Sequence, residues 1–291
     1  MAEIGWGRFG TRCELSPVVS PAPNPFASPK LAALLVCAFS AATVSGCSGC
    51  APVDREPAGG VLAIWESPLA CSLAPELVRT PGHHRVGTWN VRWFPDGTFE
   101  NEDGDDATDV GWLACAIARL DVDVLAVQEF KTHARARRAQ SELLTELDEL
   151  TGGAWALVLD DCPHDNQPHQ GFLYDQTKVH VSAARDLPEL NPHEGACGGA
   201  QRPGMAVEVT FDDGVEVVLV NVHTKSGTRP EDRKLRIDSF DTMASVHRDE
   251  VASTGIDDVV FLGDFNTNGC PDCSEPLTAN AEVWDLSLIH I

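Results

Sequence analysis

Short apolar runs alternate with amphipathic segments from Arg85 onward, and this pattern predicts a domain that mixes strands and helices. Runs of strand length occur at Val86–Trp93, Val122–Val127, Trp155–Leu159, Gly171–Tyr174, Val179–Ala183, Ala206–Phe211, Val215–Val222 and Asp258–Leu262. The clearest hairpin surrounds Asp213-Gly214, because apolar and polar residues alternate before it and glycine accepts the positive φ of a tight turn.

Three amphipathic segments predict helices that cover these strands. Two of them run from Thr108 to Leu120 and from Ala134 to Leu150. The third begins at Pro230, with Ile237, Phe240 and Ala244 facing inward. Strands, a hairpin and helices in this order predict an α/β (α+β) fold. We expect two mixed sheets packed face to face, with the helices outside.

The segment before this domain has the features of an export signal. Lys30 precedes the apolar run Leu31–Val44, which is short for a bilayer span and has the length of a signal-peptide core. The run ends in Val-Ser-Gly-Cys47, which resembles the bacterial lipobox, whose cysteine is lipidated and becomes the new N-terminus. An ordinary secretory signal and a buried helix are the alternatives.

These features predict the organisation and location of the chain. The predicted boundaries are 1–47 for the signal peptide, with 1–29 as an over-called start, 48–82 for a tether and 83–285 for the domain. The predicted location is outside the cytoplasm. The protein is lipid-anchored through Cys47 at the bacterial cell envelope, where Ser48 favours the outer membrane, or it is secreted.

Charge and cysteine content narrow the possible functions. Acidic residues outnumber lysine and arginine by 44 to 21, which gives a formal net charge of −23. A chain this acidic repels polyanions, which excludes a basic nucleic-acid-coating protein. Chemistry on a phosphate would therefore need a bound cation. Ten cysteines favour an oxidising compartment. Cys270 and Cys273 are predicted to form a local disulfide, whereas Cys115 is interpreted as a free core residue.

Polar side chains directly follow four of the predicted strands. The segments are GTWNV at 87–91, LAVQE at 125–129, LVNVH at 219–223 and FLGDFN at 261–266. A single polar residue at a strand end is usually a cap or a solvated side chain. Together, however, the four segments predict a compact polar cluster at one rim. Its carboxylates are the hard oxygen ligands that Mg²⁺, Mn²⁺ and Ca²⁺ prefer.

In this order, the motifs WNV, QE, NVH and GDFN resemble those of the endonuclease/exonuclease/phosphatase superfamily, over about residues 85–268. The resemblance implies a DNase I-like fold, a four-layered sandwich of two mixed sheets between helices. It also implies hydrolysis of a phosphoester with a divalent metal, Mg²⁺ or alternatively Mn²⁺ or Ca²⁺.

The resemblance assigns a role to each motif residue. Glu129 resembles the principal metal ligand, and Asn90 resembles the residue beside the metal that contacts it or the phosphate. His223 resembles the histidine that bonds the scissile phosphate. Asp264 and Asn266 resemble the pair that aligns the nucleophilic water and holds the phosphate or metal.

Two further residues are candidates for phosphate binding. Arg202 lies in a Gln-Arg-Pro segment that resembles one able to reach the phosphate, although a structural role explains it equally well. Tyr174 ends an apolar strand that resembles one of the family. Packing explains Tyr174 more readily, because a buried ring needs only one partner for its hydroxyl.

The chain departs from the family pattern at its end. The family's last strand carries a Ser-Asp-His motif, which this sequence does not contain, so the domain is expected to be incomplete and its last strands missing. Residues 286–291 resemble the translated end of a sequencing adapter. A truncated gene fragment, which would be poorly soluble and nearly inactive, is the expectation.

Three functions remain open after these observations. The leading one is an exported, monomeric, metal-dependent phosphodiesterase or nuclease, with nucleic acid as one candidate substrate. A phosphomonoesterase or a lipid/inositol-phosphate phosphatase on the same fold is the second. The third is a catalytically inactive surface-binding module.

Overall fold

The computed structural model describes residues 37–39, 71, 79–99, 107–162, 168–191 and 202–288. Every described residue belongs to one compact unit, Leu34–Ile291. The strands are β1 Cys37–Phe39, β2 Val86–Phe94, β3 Val124–Phe130, β4 Trp155–Leu159, β5 His169–Asp175, β6 Val179–Leu187, β7 Gly204–Phe211, β8 Glu216–His223 and β9 Val259–Asp264. The α-helices are α1 Val110–Leu120, α2 Ala134–Thr151, α3 Pro230–Thr254 and α4 Ala279–Leu288, and a 3₁₀ turn covers Pro188–Leu190.

These strands form two mixed sheets. The first has the order β1-β2-β3-β5-β4, in which β1, β2 and β3 are parallel and the β3-β5 and β5-β4 pairs are antiparallel. The second has the order β6-β7-β8-β9, in which only the β8-β9 pair is parallel. The predicted hairpin around Asp213-Gly214 joins β7 to β8.

Three apolar clusters show how the layers stack. One contains residues of both sheets, such as Ala126 and Phe172 against Val207 and Leu219, and fills the space between them. A second packs α1 and α2 on the outer face of the first sheet, and a third packs α3 on the outer face of the second. The predicted α/β class, with two mixed sheets face to face between helices, is therefore confirmed.

Helix α3 packs Phe240 against the second sheet as predicted, but it does not turn Ala244 inward. Ala244 is exposed, whereas the buried positions are Asp232, Arg236, Ser239, Met243, Val246 and Glu250. The spacing is still helical, but four of these six buried positions are polar or charged. The apolar pattern therefore indicated the helix correctly and its orientation only in part.

The cysteine predictions have mixed outcomes. The predicted bond between Cys270 and Cys273 is present. Cys115 is not a free core residue, because it forms a disulfide with Cys71, 44 residues earlier in the chain. Cys71 lies in the predicted tether and is fully buried, so this bond ties that part of the chain to α1.

Several predictions for the chain ends lie largely outside the described residues. Within the predicted signal core, β1 pairs with β2, while Cys47 and the predicted tether up to residue 70 are not described. Helix α4 was not predicted and includes the buried Leu286. In the described part of the chain, no helix combines the length and apolar character needed to cross a membrane.

Candidate active site

Two strand irregularities place Asn90 and Glu129 at the same edge of the first sheet. The pairing of β2 with β3 shifts between Asn90 and Phe94, and the pairing of β3 with β5 shifts between Gln128 and Phe130. Such bulges re-aim the side chains beside them. Glu129 also has a left-handed φ of 66°, a conformation that costs about 1–3 kcal/mol in a residue other than glycine. Local contacts must offset that cost.

The contacts of Asn90 connect the two sheets. Its Nδ2 atom donates to Glu129 Oε1 at 2.8 Å and to Asp264 Oδ2 at 2.8 Å. Its Oδ1 atom accepts a hydrogen bond from the backbone amide of Arg92 at 2.9 Å, which fixes the orientation of the side-chain amide. The backbone amide of Trp93 donates to Glu129 Oε2 at 3.1 Å. Asn90 therefore holds the two carboxylates, with its own oxygen turned toward the main chain.

His223 and Asp264 come from the second sheet, as adjacent residues on parallel strands. The register of β8 and β9 pairs them directly. His223 Nε2 lies 3.7 Å from Glu129 Oε1 and 3.9 Å from Asp264 Oδ2. The three side chains are between 12% and 18% exposed, so a small ligand has access to them.

Gly263 allows β9 to approach β8 this closely. Its φ is 143°, and a Cβ atom there would overlap the carbonyl oxygen of Val222. Only glycine fits both conditions.

Asn266 supports Asp264 and reaches toward the loop after β8. Its backbone amide donates to Asp264 Oδ1 at 3.0 Å, and its side-chain Nδ2 donates to the carbonyl of Thr224 at 3.0 Å. Asn266 has a left-handed φ of 47°, which asparagine tolerates better than most residues. Asp264 is thus held through both oxygens, by Asn266 on one side and Asn90 on the other.

The electrostatics of this cluster suit a bound cation. Burial lowers the pKa of His223, opposed by the charges of Asp264 and Glu129, and Arg202 lowers it further; the net pKa is below the ordinary value. The imidazole is therefore neutral at neutral pH. Within the described residues, no lysine or arginine pairs with Glu129 or Asp264. Two carboxylates with uncompensated charge fit a divalent metal ion.

The structure brings Arg202 to this site but not Tyr174. Arg202 and His223 line the same small pocket, and Arg202 Nε donates to the carbonyl of Pro168 at 2.8 Å. Tyr174 pairs with Val124, at the opposite end of β3 from Glu129. The assignment of Tyr174 to phosphate binding is corrected, because β5 runs antiparallel to β3 and carries its ring away. Burial raises the pKa of the Tyr174 hydroxyl.

A buried network of neutral side chains lies directly behind the cluster. Gln128 Nε2 donates to Thr88 Oγ1 at 3.0 Å and to Asn221 Oδ1 at 2.7 Å. Asn221 Nδ2 in turn donates to the carbonyls of Val127 at 3.0 Å and Gly171 at 2.8 Å. Asn221 belongs to the second sheet and its partners to the first. The network fixes the two sheets beside Glu129 and His223.

A second group of possible metal ligands lies away from this site. His84, Asp212 and Asp213 come together where the β7–β8 hairpin turns, at the other end of the strands from Asn90 and His223. His84 Nε2 lies 3.1 Å from Asp213 Oδ1, which also accepts from the amide of Val215. These hydrogen bonds of the hairpin turn account for the closeness of the three residues without a bound ion.

The fold and site together define an α/β protein of two facing sheets with a carboxylate, amide and histidine cluster at their shared edge. No family model matches the sequence. No curated protein matches it either. Many solved structures are similar to this one, and three of them are described here. Truncated TDP2 of Caenorhabditis elegans is 20% identical, covers 54% of each chain and has a TM-score of 0.40.

The other two come from Bacteroides thetaiotaomicron. An endonuclease/exonuclease/phosphatase family protein is 18% identical over 54% of this chain and 53% of its own, with a TM-score of 0.40. A mannosyl-6-phosphatase is 20% identical over 54% and 56%, with a TM-score of 0.39. The matched part of the chain thus spans about half the length of each of these structures. Likenesses of this extent do not define a function.

Proposed function

We propose that this chain is a divalent-metal-dependent phosphoesterase that hydrolyses phosphodiester bonds. The observation that carries the proposal is the convergence of Glu129 and Asp264, from different sheets, on the Asn90 nitrogen beside a neutral His223. Hydrolysis of an anionic ester requires a cation to offset its charge, and uncompensated carboxylates can hold one. The neutral histidine can donate a hydrogen bond to the ester beside that cation.

The metal would be held by Glu129 and Asp264, with Asn90 maintaining their arrangement. When bound, it would neutralise the anionic ester and stabilise the charge of the leaving oxygen. Mg²⁺ is the proposed ion. Mn²⁺ and Ca²⁺ are alternatives, because they also prefer oxygen ligands.

The protein residues supply positioning and proton transfer. A neutral His223 donates a hydrogen bond to a non-bridging oxygen without adding charge, and the Arg202 guanidinium attracts the anionic ester to the same pocket. Asp264, held by Asn266, accepts a proton from the attacking water. Positioning these groups before the reaction is worth up to about 7–11 kcal/mol of barrier.

The test compares three substrates with the full chain: plasmid DNA, bis(p-nitrophenyl) phosphate and p-nitrophenyl phosphate, each with Mg²⁺ and with EDTA. We expect Mg²⁺-dependent cleavage of the diesters, and its loss in Asp264→Asn but not in the exposed-surface variant Asp241→Asn. Cleavage of the monoester alone would favour a phosphomonoesterase. Mg²⁺ binding with no hydrolysis of any substrate would favour an inactive binding module.

We also propose that the protein is exported and anchored to the bacterial membrane through Cys47. The support is the order of Lys30, the apolar run Leu31–Val44 and the Val-Ser-Gly-Cys sequence. A membrane location would place the phosphoesterase near ester substrates outside the cytoplasm.

A further inference from the structure

We propose that the buried ion pair between Arg236 and Glu282 is a positioning element that holds the two loops following β8 and β9. These loops carry the groups next to His223 and Asp264. The inference rests on the proposed function for its catalytic consequence, while the structural part stands separately. Both side chains are fully buried.

Every N–H of the Arg236 guanidinium has an acceptor, and the acceptors belong to separate segments. The Nη1 atom donates to the carbonyls of Lys225 at 3.0 Å and Gly227 at 2.8 Å. The Nη2 atom donates to the carbonyl of Gly269 at 3.3 Å and to Glu282 Oε1 at 2.8 Å. The Nε atom donates to Glu282 Oε1 at 3.0 Å. An arginine has five such donors, and here none is left over.

Glu282 completes the arrangement from the other side. Its Oε2 atom accepts from the backbone amide of Gly269 at 2.7 Å, in addition to its bonds with Arg236. Gly269 therefore has its carbonyl bonded to Arg236 and its amide bonded to Glu282. The two side chains together clamp both polar groups of one peptide segment.

The clamped segments are those that continue from the site residues. Lys225 and Gly227 follow His223 by two and four residues, and Gly269 follows Asn266 by three. The loops are also joined directly, because Asn266 Nδ2 donates to the Thr224 carbonyl. A shift of either loop would therefore move Asn266, and with it the amide that holds Asp264.

Stability alone is a weak reason for such a pair. Removing two charges from water is costly, and replacing a buried ion pair by apolar residues is often neutral or stabilising. What an apolar pair would not supply is the set of bonds to Lys225, Gly227 and Gly269. Lysine would not supply them either, because it lacks the planar fork of donors.

The test uses the full chain and three variants. Arg236→Lys and Glu282→Gln each weaken the clamp, and Glu250→Gln is the matched control. Glu250 is also buried, lies on the same helix and pairs with Arg185, but none of its bonds reaches the two loops. Three quantities are measured: kcat on bis(p-nitrophenyl) phosphate, the Mg²⁺ affinity by titration calorimetry, and hydrogen exchange of the amides in 224–227 and 266–270.

We expect kcat to fall by about 10²-fold in both clamp variants, which is the effect of misplacing a catalytic group by about 1 Å. Mg²⁺ affinity should also fall, because Asp264 is one of the two proposed ligands and the Asn266 amide that holds it would move. Exchange in the two loops should be faster than in the wild type. The control should change neither kcat nor exchange in these loops.

A folded Glu282→Gln variant with wild-type kcat and loop exchange would overturn the proposal, as would equal losses in the control. If the clamp variants do not fold, hydrogen exchange of the wild type provides the test. The Gly269 amide should then exchange together with the amides of α4, and earlier, independent exchange would refute the clamp. Absence of hydrolysis by the wild type would refute the proposed function, while the exchange measurements would still test the clamp.

Discussion

Glu129 and Asp264 lie in different sheets, yet their carboxylates accept hydrogen bonds from the same Asn90 nitrogen, each at 2.8 Å. The site therefore exists only when the two sheets are docked. Neither sheet alone brings two carboxylates together, and their mutual repulsion is reduced by a single neutral donor. A divalent cation would relieve the remaining repulsion, and this relation leads to the first two predictions.

Glu129→Gln should abolish Mg²⁺ binding with little effect on the fold, because it removes one ligand charge and keeps the side-chain shape. Saturating Mg²⁺, at about 100 times its Kd, should raise the free energy of unfolding of the wild type by about 2.7 kcal/mol. We expect little increase in the variant, measured by urea denaturation with and without Mg²⁺. Glu142→Gln on the exposed face of α2 is the control and should respond as the wild type does. An undiminished Mg²⁺ effect in Glu129→Gln would contradict the ligand assignment.

Asn90→Ala should lower the free energy of unfolding by about 1–3 kcal/mol, because it leaves two carboxylates without their shared donor. Added Mg²⁺ should restore part of this loss, since a cation also relieves the repulsion. Thermal denaturation in EDTA and in Mg²⁺ measures both effects. Asn280→Ala, at an exposed position of α4, should change stability by less than about 0.5 kcal/mol. Equal stability of Asn90→Ala and the wild type in EDTA would show that Asn90 does not hold the carboxylates.

Gly263→Ala should destabilise the protein by more than about 2 kcal/mol, because the new methyl group would overlap the Val222 carbonyl in a conformation that alanine disfavours. Gly255→Ala separates the two causes, since Gly255 has a φ of 74° but open space around its Cα. That variant should lose only about 1 kcal/mol. Similar losses in the two variants, measured by urea denaturation, would rule out the close approach of β9 to β8.

Asp175 should make the stability of the protein depend on pH in the acidic range. Burial alone would raise the pKa of Asp175, but hydrogen bonds from Thr177 and Ala154 and the charge of Lys178 outweigh it and lower the pKa below 3.8. A carboxylate whose pKa is lower in the folded protein stabilises the fold at every pH above its pKa in the unfolded chain. This contribution is lost as the pH falls through the pKa of the folded state.

Asp175→Asn should therefore lower the free energy of unfolding at pH 7 and flatten its decline below about pH 4. Urea denaturation from pH 7 to pH 3 measures this, with Asp241→Asn on the surface of α3 as control. A decline in Asp175→Asn as steep as in the wild type would contradict the prediction.

Cys47→Ser should release the protein from membranes in a bacterial host that processes lipoproteins. The serine variant has no thiol to receive the lipid, so the protein should move from the membrane pellet to the soluble fraction or remain unprocessed. Cys50→Ser, three residues further on, is the matched control and should stay in the pellet. A wild-type protein that already fractionates as soluble would refute the anchor.

The sequence predicted the strand ends better than the side-chain contacts. Asn90, Glu129, His223 and Asp264 were placed at one rim, because an apolar run followed by a polar residue marks the end of a buried strand. The left-handed conformation of Glu129 had no such signal, since it lies at an irregularity in the pairing of β3 with its neighbouring strands.

Arg236 and Glu282 were also missed, for a different reason. A charged residue on a helix is normally solvated, and the apolar residues of α3 suggested another inward face. The buried face could have been recognised from the helical spacing of Asp232, Arg236, Ser239 and Met243. That spacing identifies the face only when the hydrogen-bond acceptors of Arg236 are known. The prediction that Tyr174 lies at the phosphate site was wrong, because the direction of β5, and not its composition, decides which of its ends meets Glu129.

The link between the sheets through Thr88, Gln128 and Asn221 contains no group that gains or loses a proton. Salt and acidity therefore have little direct effect on this link between the two sheets. At the rim, in contrast, His223 can gain a proton, and salt screens the charged side chains. A change of catalytic rate with ionic strength or pH, at constant stability, would then report on the chemistry at the rim and not on separation of the sheets.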